Sequence, residues 1–392
     1  MCKNRGFISV ILIVLSSFPS VLFAQSDSVI TTISVGSNPV ALLYNPTNNK
    51  IYCANWMNDN VTIIDGAGDS VIATVGVGDY PCALAYNSTC NRIYCVNEFG
   101  DNVTIIDGAG DSVVTTVEVG HLPWSIICFG NKIYCANWYS ANVTIIDGTG
   151  DSVIATVEVG DFPYALGYNS FDNKIYCTNR YIDRITIIDG VGNLVVATVE
   201  VGDEPYALNY NPIANKIYCA NFYGHNVTII DGAGDSVTAT VTVGDYPWAL
   251  AHNPNNNKIY CANSRTDNVT IIDGGSGSVI TTVRVGSVPR ALAYNPNNTI
   301  YCANRESDNV SVIDGQADSV IATVEVGDSP VALAYNPNNN KIYCANCGGS
   351  SMSVIACSPP TAVEEDHVMT GDISDTQERF FEYSLWWVEF QV

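Results

Sequence analysis

Positive charge is what this sequence has least of. Its 392 residues carry 16 Lys and Arg against 39 Asp and Glu, a formal net charge of −23. A surface of that sign repels phosphate backbones and anionic lipids at long range, so nucleic acid is not expected as the main partner. Histidine is also scarce, with four residues. The chain holds no H-E-x-x-H, no C-x-x-C-H, no phosphate-binding glycine loop and no Ser-His-Asp order with supporting context. No catalytic residue, metal ligand or cofactor is therefore assigned from motifs. Within the repeated part of the chain, apolar residues do not recur at the 3.6-residue spacing of a helix. Beyond the N-terminus no run is long and apolar enough to cross a membrane.

What is present begins with Lys3 and Arg5, an apolar run from Phe7 to Phe23, and the small-residue end Leu22-Phe23-Ala24. That order predicts a signal peptide over residues 1–24 and a mature start at Gln25. Cleavage leaves the chain two charges more negative. A secreted, periplasmic or cell-surface location is the expectation.

The strongest signal is a repeat. The pentapeptide Ile-Tyr-Cys-Ala-Asn, with Val or Thr twice in place of Ala, recurs eight times, starting at residues 51, 93, 133, 175, 217, 259, 300 and 342. A period near 42 residues means a solenoid, a propeller or an array. Each period holds four short runs rich in Val, Ile, Thr and Tyr, bounded by Gly, Asn, Asp or Pro. These read as strands. In Ile133-Tyr-Cys-Ala136 both faces are apolar, so the sheet must be sandwiched between neighbours. Face-to-face sheets around an axis give an all-β propeller of four-stranded antiparallel blades. The outermost run carries Glu158 among apolar neighbours, as expected with one side near water. Ser28–Val35 is an outer-strand sequence with no inner strands before it, and the last repeat lacks an outer strand. The N-terminal strand is therefore expected to close the ring. The count gives eight blades, with seven blades and a spare unit as the alternative.

Lys50-Ile-Tyr-Cys-Ala-Asn55, Val61-Thr-Ile-Ile-Asp65, Ser70-Val-Ile-Ala-Thr-Val75 and Pro81 follow one another in an order that recurs from about Asp27 to Ala356. In this order the chain resembles the YVTN β-propeller repeat family, found in surface-layer and YncE-like secreted proteins, with Cys in place of the family Val. The resemblance implies the propeller fold. The family has no shared active site, so it implies little about function.

Fourteen cysteines are present, and eight belong to the repeat. Equivalent positions on stacked sheets lie about 10 Å apart, and bridged Cα atoms need about 4.4–6.8 Å. The repeat cysteines therefore read as small buried apolar residues. Cys347 and Cys357 flank the last hairpin and are the best candidates for a bridge.

The copies agree in their strands and in two turns, Asp65-Gly-Ala-Gly-Asp69 and Asn295-Pro-Asn-Asn298, with their equivalents. In the usual strand order these share one face. A calcium site at Asp65 and Asp69 would need denser oxygen ligands. On the opposite face the copies differ. The residue after the loop proline runs Val40, Cys82, Trp124, Tyr164, Tyr206, Trp248, Arg290, Val331. The loop after the pentapeptide carries Trp56, Phe99, Trp138, Tyr139, Tyr181, Phe222 and Tyr223, and Tyr80, Phe162 and Tyr246 precede the proline. Varied aromatic loops on rigid strands suggest a binding face. The bland alternative is that the rings plug the channel.

Three domains follow: a signal over 1–24, the propeller over 27–357, and a linker and tail over 358–392. The expected function is a binding module for an extracellular glycan, peptide or protein. Its candidate residues are Trp124, Tyr164, Tyr206, Trp248, Arg290, Trp56, Trp138, Tyr181 and Phe222. The alternatives are a propeller-type lyase or lactonase, with His121, Glu204 and His225 as acid/base candidates, and a structural surface-layer or adhesion component.

Overall fold

Four extended runs per repeat become four strands. In the computed structural model, which describes residues 27–358, β1 (Ser28–Ser34) is followed by β2 (Pro39–Asn45), β3 (Lys50–Asn55), β4 (Asn60–Asp65) and β5 (Ser70–Gly76). The same order continues to β30 (Pro330–Asn336), β31 (Lys341–Asn346) and β32 (Ser351–Ala356). The expected signal peptide and the tail from 359 onward lie outside the described residues. β2 to β5 form the first four-stranded sheet, and six more sheets repeat it. The eighth is made of β30, β31 and β32, with β1 pairing antiparallel to β32. The fold is an eight-bladed β-propeller closed by its N-terminal strand, and the seven-bladed alternative falls.

Alternation along β3 explains the repeat. Ile51 and Cys53 pack backwards on Tyr343, Met352 and Val354 of the last blade. Tyr52 packs forwards on Ile93 and Cys95 of the next. All three are fully buried. Asn55, also fully buried, donates from Nδ2 to Asn60 Oδ1 and Thr62 Oγ1, each at 2.8 Å. It braces the turn between β3 and β4, and so satisfies polar groups that cannot reach water. Outer strands are exposed on most positions, Glu158 included. Each complete outer strand is bulged where it meets its neighbour, as between Ile63 and Ile64 in the first blade. A bulge twists an edge away from pairing with another chain.

The uniform turns are uniform because the neighbouring blade grips them. Lys50 Nζ donates to both carboxylate oxygens of Asp111 at 2.7 Å, and Tyr52 donates to the carbonyl of Gly108 at 3.4 Å. Asp111 and Gly108 belong to the turn of the following blade. Arg92 with Asp151, Lys174 with Asp235, Lys258 with Asp318 and Lys341 with Asp69 repeat this latch. A belt of asparagines runs beside it. Asn45 Nδ2 donates to Asn91 Oδ1 at 2.8 Å, and Asn336 to Asn49 at 2.8 Å joins the last blade to the first. In the third blade Phe129 replaces the belt asparagine and stacks on Tyr168, centroids 3.5 Å apart. Asp65 accepts from the amides of Ala67 and Gly68, and Asp69 from Lys341 and Tyr343. Both carboxylates are thus committed to the fold.

The cysteines from Cys53 to Cys357 are all free. The bridge expected between Cys347 and Cys357 does not form. The two flank β32, whose six residues hold them at opposite ends of a strand that rises about 3.3 Å per residue.

Candidate ligand-binding face

Opposite the latches lie the loops in which the repeats differ. The residue before each loop proline is held in the left-handed region, with φ of 56° at Tyr80, Phe162 and Tyr246, 51° at Glu204 and 55° at Val288. That conformation is costly for a side chain and most unusual for a β-branched one. Two hydrogen bonds hold it. The Val288 amide donates to Asp267 Oδ1 at 3.0 Å, and its carbonyl accepts from the Arg305 amide at 3.0 Å. In the equivalent loop His225 stands in for the aspartate, and its Nδ1 accepts from the Tyr246 amide at 3.3 Å.

The five residues singled out after the proline form one row. Trp124 stacks on Tyr164 (centroids 5.3 Å apart), Tyr164 meets Tyr206 (4.5 Å), and Tyr206 meets Trp248 (4.4 Å). The guanidinium of Arg290 lies 3.4 Å from the centre of the Trp248 ring. Tyr164 also donates to the Tyr206 hydroxyl at 2.6 Å. The rings touch because successive blades present the same strand position side by side. Contact has a consequence for binding: Tyr164 and Tyr206 are only 9% and 8% exposed. The middle of the row is therefore covered, as the plug reading requires, and its two ends are more open.

Arg180 and Glu204 pin that middle. Arg180 donates through Nε and Nη2 to Glu204 Oε2 at 3.0 and 2.9 Å. Its guanidinium sits 5.1–5.2 Å from the rings of Tyr164, Tyr181 and Tyr206. Burial pulls the Arg180 pKa down, but the hydrogen bonds and charge of Glu204 outweigh it and hold the group above its usual range. Burial raises Tyr164 and Tyr206.

The other four candidates divide. Phe222 joins the row, 5.5 Å from Tyr206 and stacked on Tyr246 at 4.5 Å. Trp138 and Tyr181 pack together with Phe162. Trp56 forms a separate group with Tyr80 and Phe99, and its Nε1 donates to Glu98 at 3.0 Å. Nor do the acid/base candidates converge. His121 pairs with Asp101 at 2.7 Å, Glu204 with Arg180, and His225 with a backbone amide. No hydrogen bond joins any two of the three among the described residues.

At the Trp248 end of the row a cleft of about 510 Å³ opens between the fifth, sixth and seventh blades. Phe222, Tyr246 and Trp248 supply its rings, Arg265 and Arg290 its cations, and Asp267 and Glu306 its acids. Burial lowers the pKa of Arg290, and its Nε–H is buried without a hydrogen-bond partner within the chain. Arg180, Arg265 and Arg305 are the residues that the sequence reading missed. They occupy the same two loop columns as Trp56, Trp138, Tyr181 and Phe222, so a search of those columns for cations as well as rings finds them.

No protein-family model and no curated protein matches this sequence. Solved structures do. Hydrazine synthase of Kuenenia stuttgartiensis is 16% identical with a TM-score of 0.60, covering 83% of this chain and 97% of its own. The computationally designed Ika8 protein is 12% identical with a TM-score of 0.70, covering 82% and 98%. Saccharomyces cerevisiae Sqt1 is 10% identical with a TM-score of 0.75, covering 86% and 100%. At these identities the likeness is one of fold, a scaffold that serves unrelated functions.

Proposed function

We propose that this propeller is a recognition module of the YVTN type, secreted or held in the cell envelope, that binds an extracellular glycan, peptide or protein through its variable face. One observation carries the reading. Latches and an asparagine belt tie the turns of one face to neighbouring blades, whereas the other face gathers rings and arginines around a cleft of about 510 Å³. That size lies within the roughly 300–1,000 Å³ usual for small-ligand sites. Trp248 and Arg290 are the principal contacts, and Tyr164 and Tyr206 support them from behind.

The test is binding of the full chain to a glycan and peptide array, followed by titration with tryptophan fluorescence. The expected result is a saturable ligand that changes the fluorescence and is lost in folded Trp248→Ala. Absence of any ligand, or unchanged affinity in that variant, overturns the reading and leaves self-assembly into arrays as the next measurement.

A further inference from the structure

We infer that the cleft between the fifth, sixth and seventh blades takes a sugar acid, with Arg290 as the partner of its carboxylate. The inference rests on the recognition reading above and names the ligand class of that same face.

In a chain with 39 acidic residues, cations readily find acid partners. Seven of the Lys and Arg residues in the described part do so, within 3.3 Å or closer. Six others form no ion pair among the described residues: Lys132 and Lys216 donate to turn carbonyls, Arg284 ends an outer strand, and Arg265, Arg290 and Arg305 all stand in the sixth and seventh blades on the variable face. Arg265 Nη1 donates only to the Tyr246 hydroxyl at 2.9 Å. Arg290 lies flat on Trp248 with its Nε–H unpartnered. Arg305 is close enough to Arg290 for each charge to oppose the other. A part-buried guanidinium beside a like charge, which Glu306 offsets only in part, is stabilised when an anion joins it.

The shape of the site selects among anions. A polyanion is repelled by the net charge of −23 before it arrives, so the anion is a single group on a small body. A guanidinium fork matches a carboxylate. Asp267, which already holds the Val288 amide and the Ser287 hydroxyl, and the exposed Glu306 line the same cleft, and their remaining lone pairs can accept from hydroxyl groups. A hydroxylated ring that bears one carboxylate satisfies both sets, and the aromatic walls receive its apolar face.

The experiment titrates the full chain with monomeric D-galacturonate, D-glucuronate, the methyl esters of both, and D-galactose, by calorimetry and tryptophan fluorescence. Each free acid is expected to bind at least about tenfold more tightly than its ester, the difference one charge-assisted hydrogen bond supplies. Arg290→Gln should erase that difference, and Arg305→Gln should reduce it. Because the ester comparison needs no variant, the inference is testable even where a substitution impairs folding. Equal binding of acid and ester overturns the carboxylate assignment while the recognition reading stands. Binding of an N-acetyl dipeptide carboxylate in place of both uronates overturns the sugar assignment. Loss of all binding, on the array and in the titration, overturns both.

Discussion

Cys53 and its seven counterparts occupy a site that demands a small apolar side chain, and their chemistry is silenced there. Burial drives each thiol far above its ordinary value of 9.0. Alkylation of the native protein followed by mass spectrometry should leave all eight unmodified, with the half-buried Cys90 and Cys347 labelled first. Cys135→Val should change stability by less than about 1.5 kcal/mol, the usual cost of a near-isosteric swap; a larger loss in denaturant melts would show a role beyond packing. His252 is the other informative residue. Burial pulls its pKa below 6.5, and its bond to Asn257 opposes this only in part. The unfolded chain therefore takes up the proton first as pH falls below about 6.5, and the native state loses stability through that window until the buried ring is itself protonated. His252→Tyr, which restores the residue of Tyr294, should flatten the dependence of stability on pH there. The packing role of the cysteines was legible because eight copies share one strand position. The separation of Cys347 from Cys357 was not, because nearness in sequence does not show that a whole strand stands between two residues.

Strands and turns were legible because each element appears eight times, so accidents in one copy average out against the others. Their partners were less so. The turn Asp231-Gly-Ala-Gly-Asp235 reads as local turn chemistry, yet its last carboxylate accepts from Lys174, 61 residues earlier. A latch that spans a repeat and a half leaves no local pattern. Lys174 and Asp235 are only 18% and 16% exposed, so this pair is screened less than a surface one. Asp235→Ala leaves the Lys174 ammonium with only the carbonyls of Gly232 and Ala233, removes the acceptor of the Tyr176 hydroxyl, and should cost about 1–3 kcal/mol, read as a lowered urea midpoint. A shift no larger than for an exposed substitution such as Glu200→Ala would show that the latch is ornamental. The aromatic row was legible in the same way, as a column of the repeat. That its rings stack on one another rather than stand open was not, because the separation of neighbouring innermost strands around the ring, which decides whether equivalent side chains touch, is not written in any one repeat.

At the scale of the molecule, one pairing makes the ring whole. β1 covers β32 over Ser28–Ser34, and Ile33 is buried against Met352 and Val354 of the last blade. Deletion of residues 28–34 should expose the β32 edge and lower the thermal midpoint by several degrees or more. Size-exclusion chromatography should then show association through that edge. A deleted chain that stays monomeric with an unchanged midpoint would mean that seven complete blades hold the eighth without help.

That closure also sets a schedule. β1 is the first strand of the propeller to leave the ribosome and the last to find its partner, because Ala356 is made only after all the other blades. At about 5–20 residues per second, the strand waits on the order of tens of seconds with its Val29, Thr31 and Ile33 side unpaired. Throughout that time its own β32 does not yet exist and the β32 of a finished chain can take its place, so the yield of closed monomers should depend on how crowded the nascent chains are.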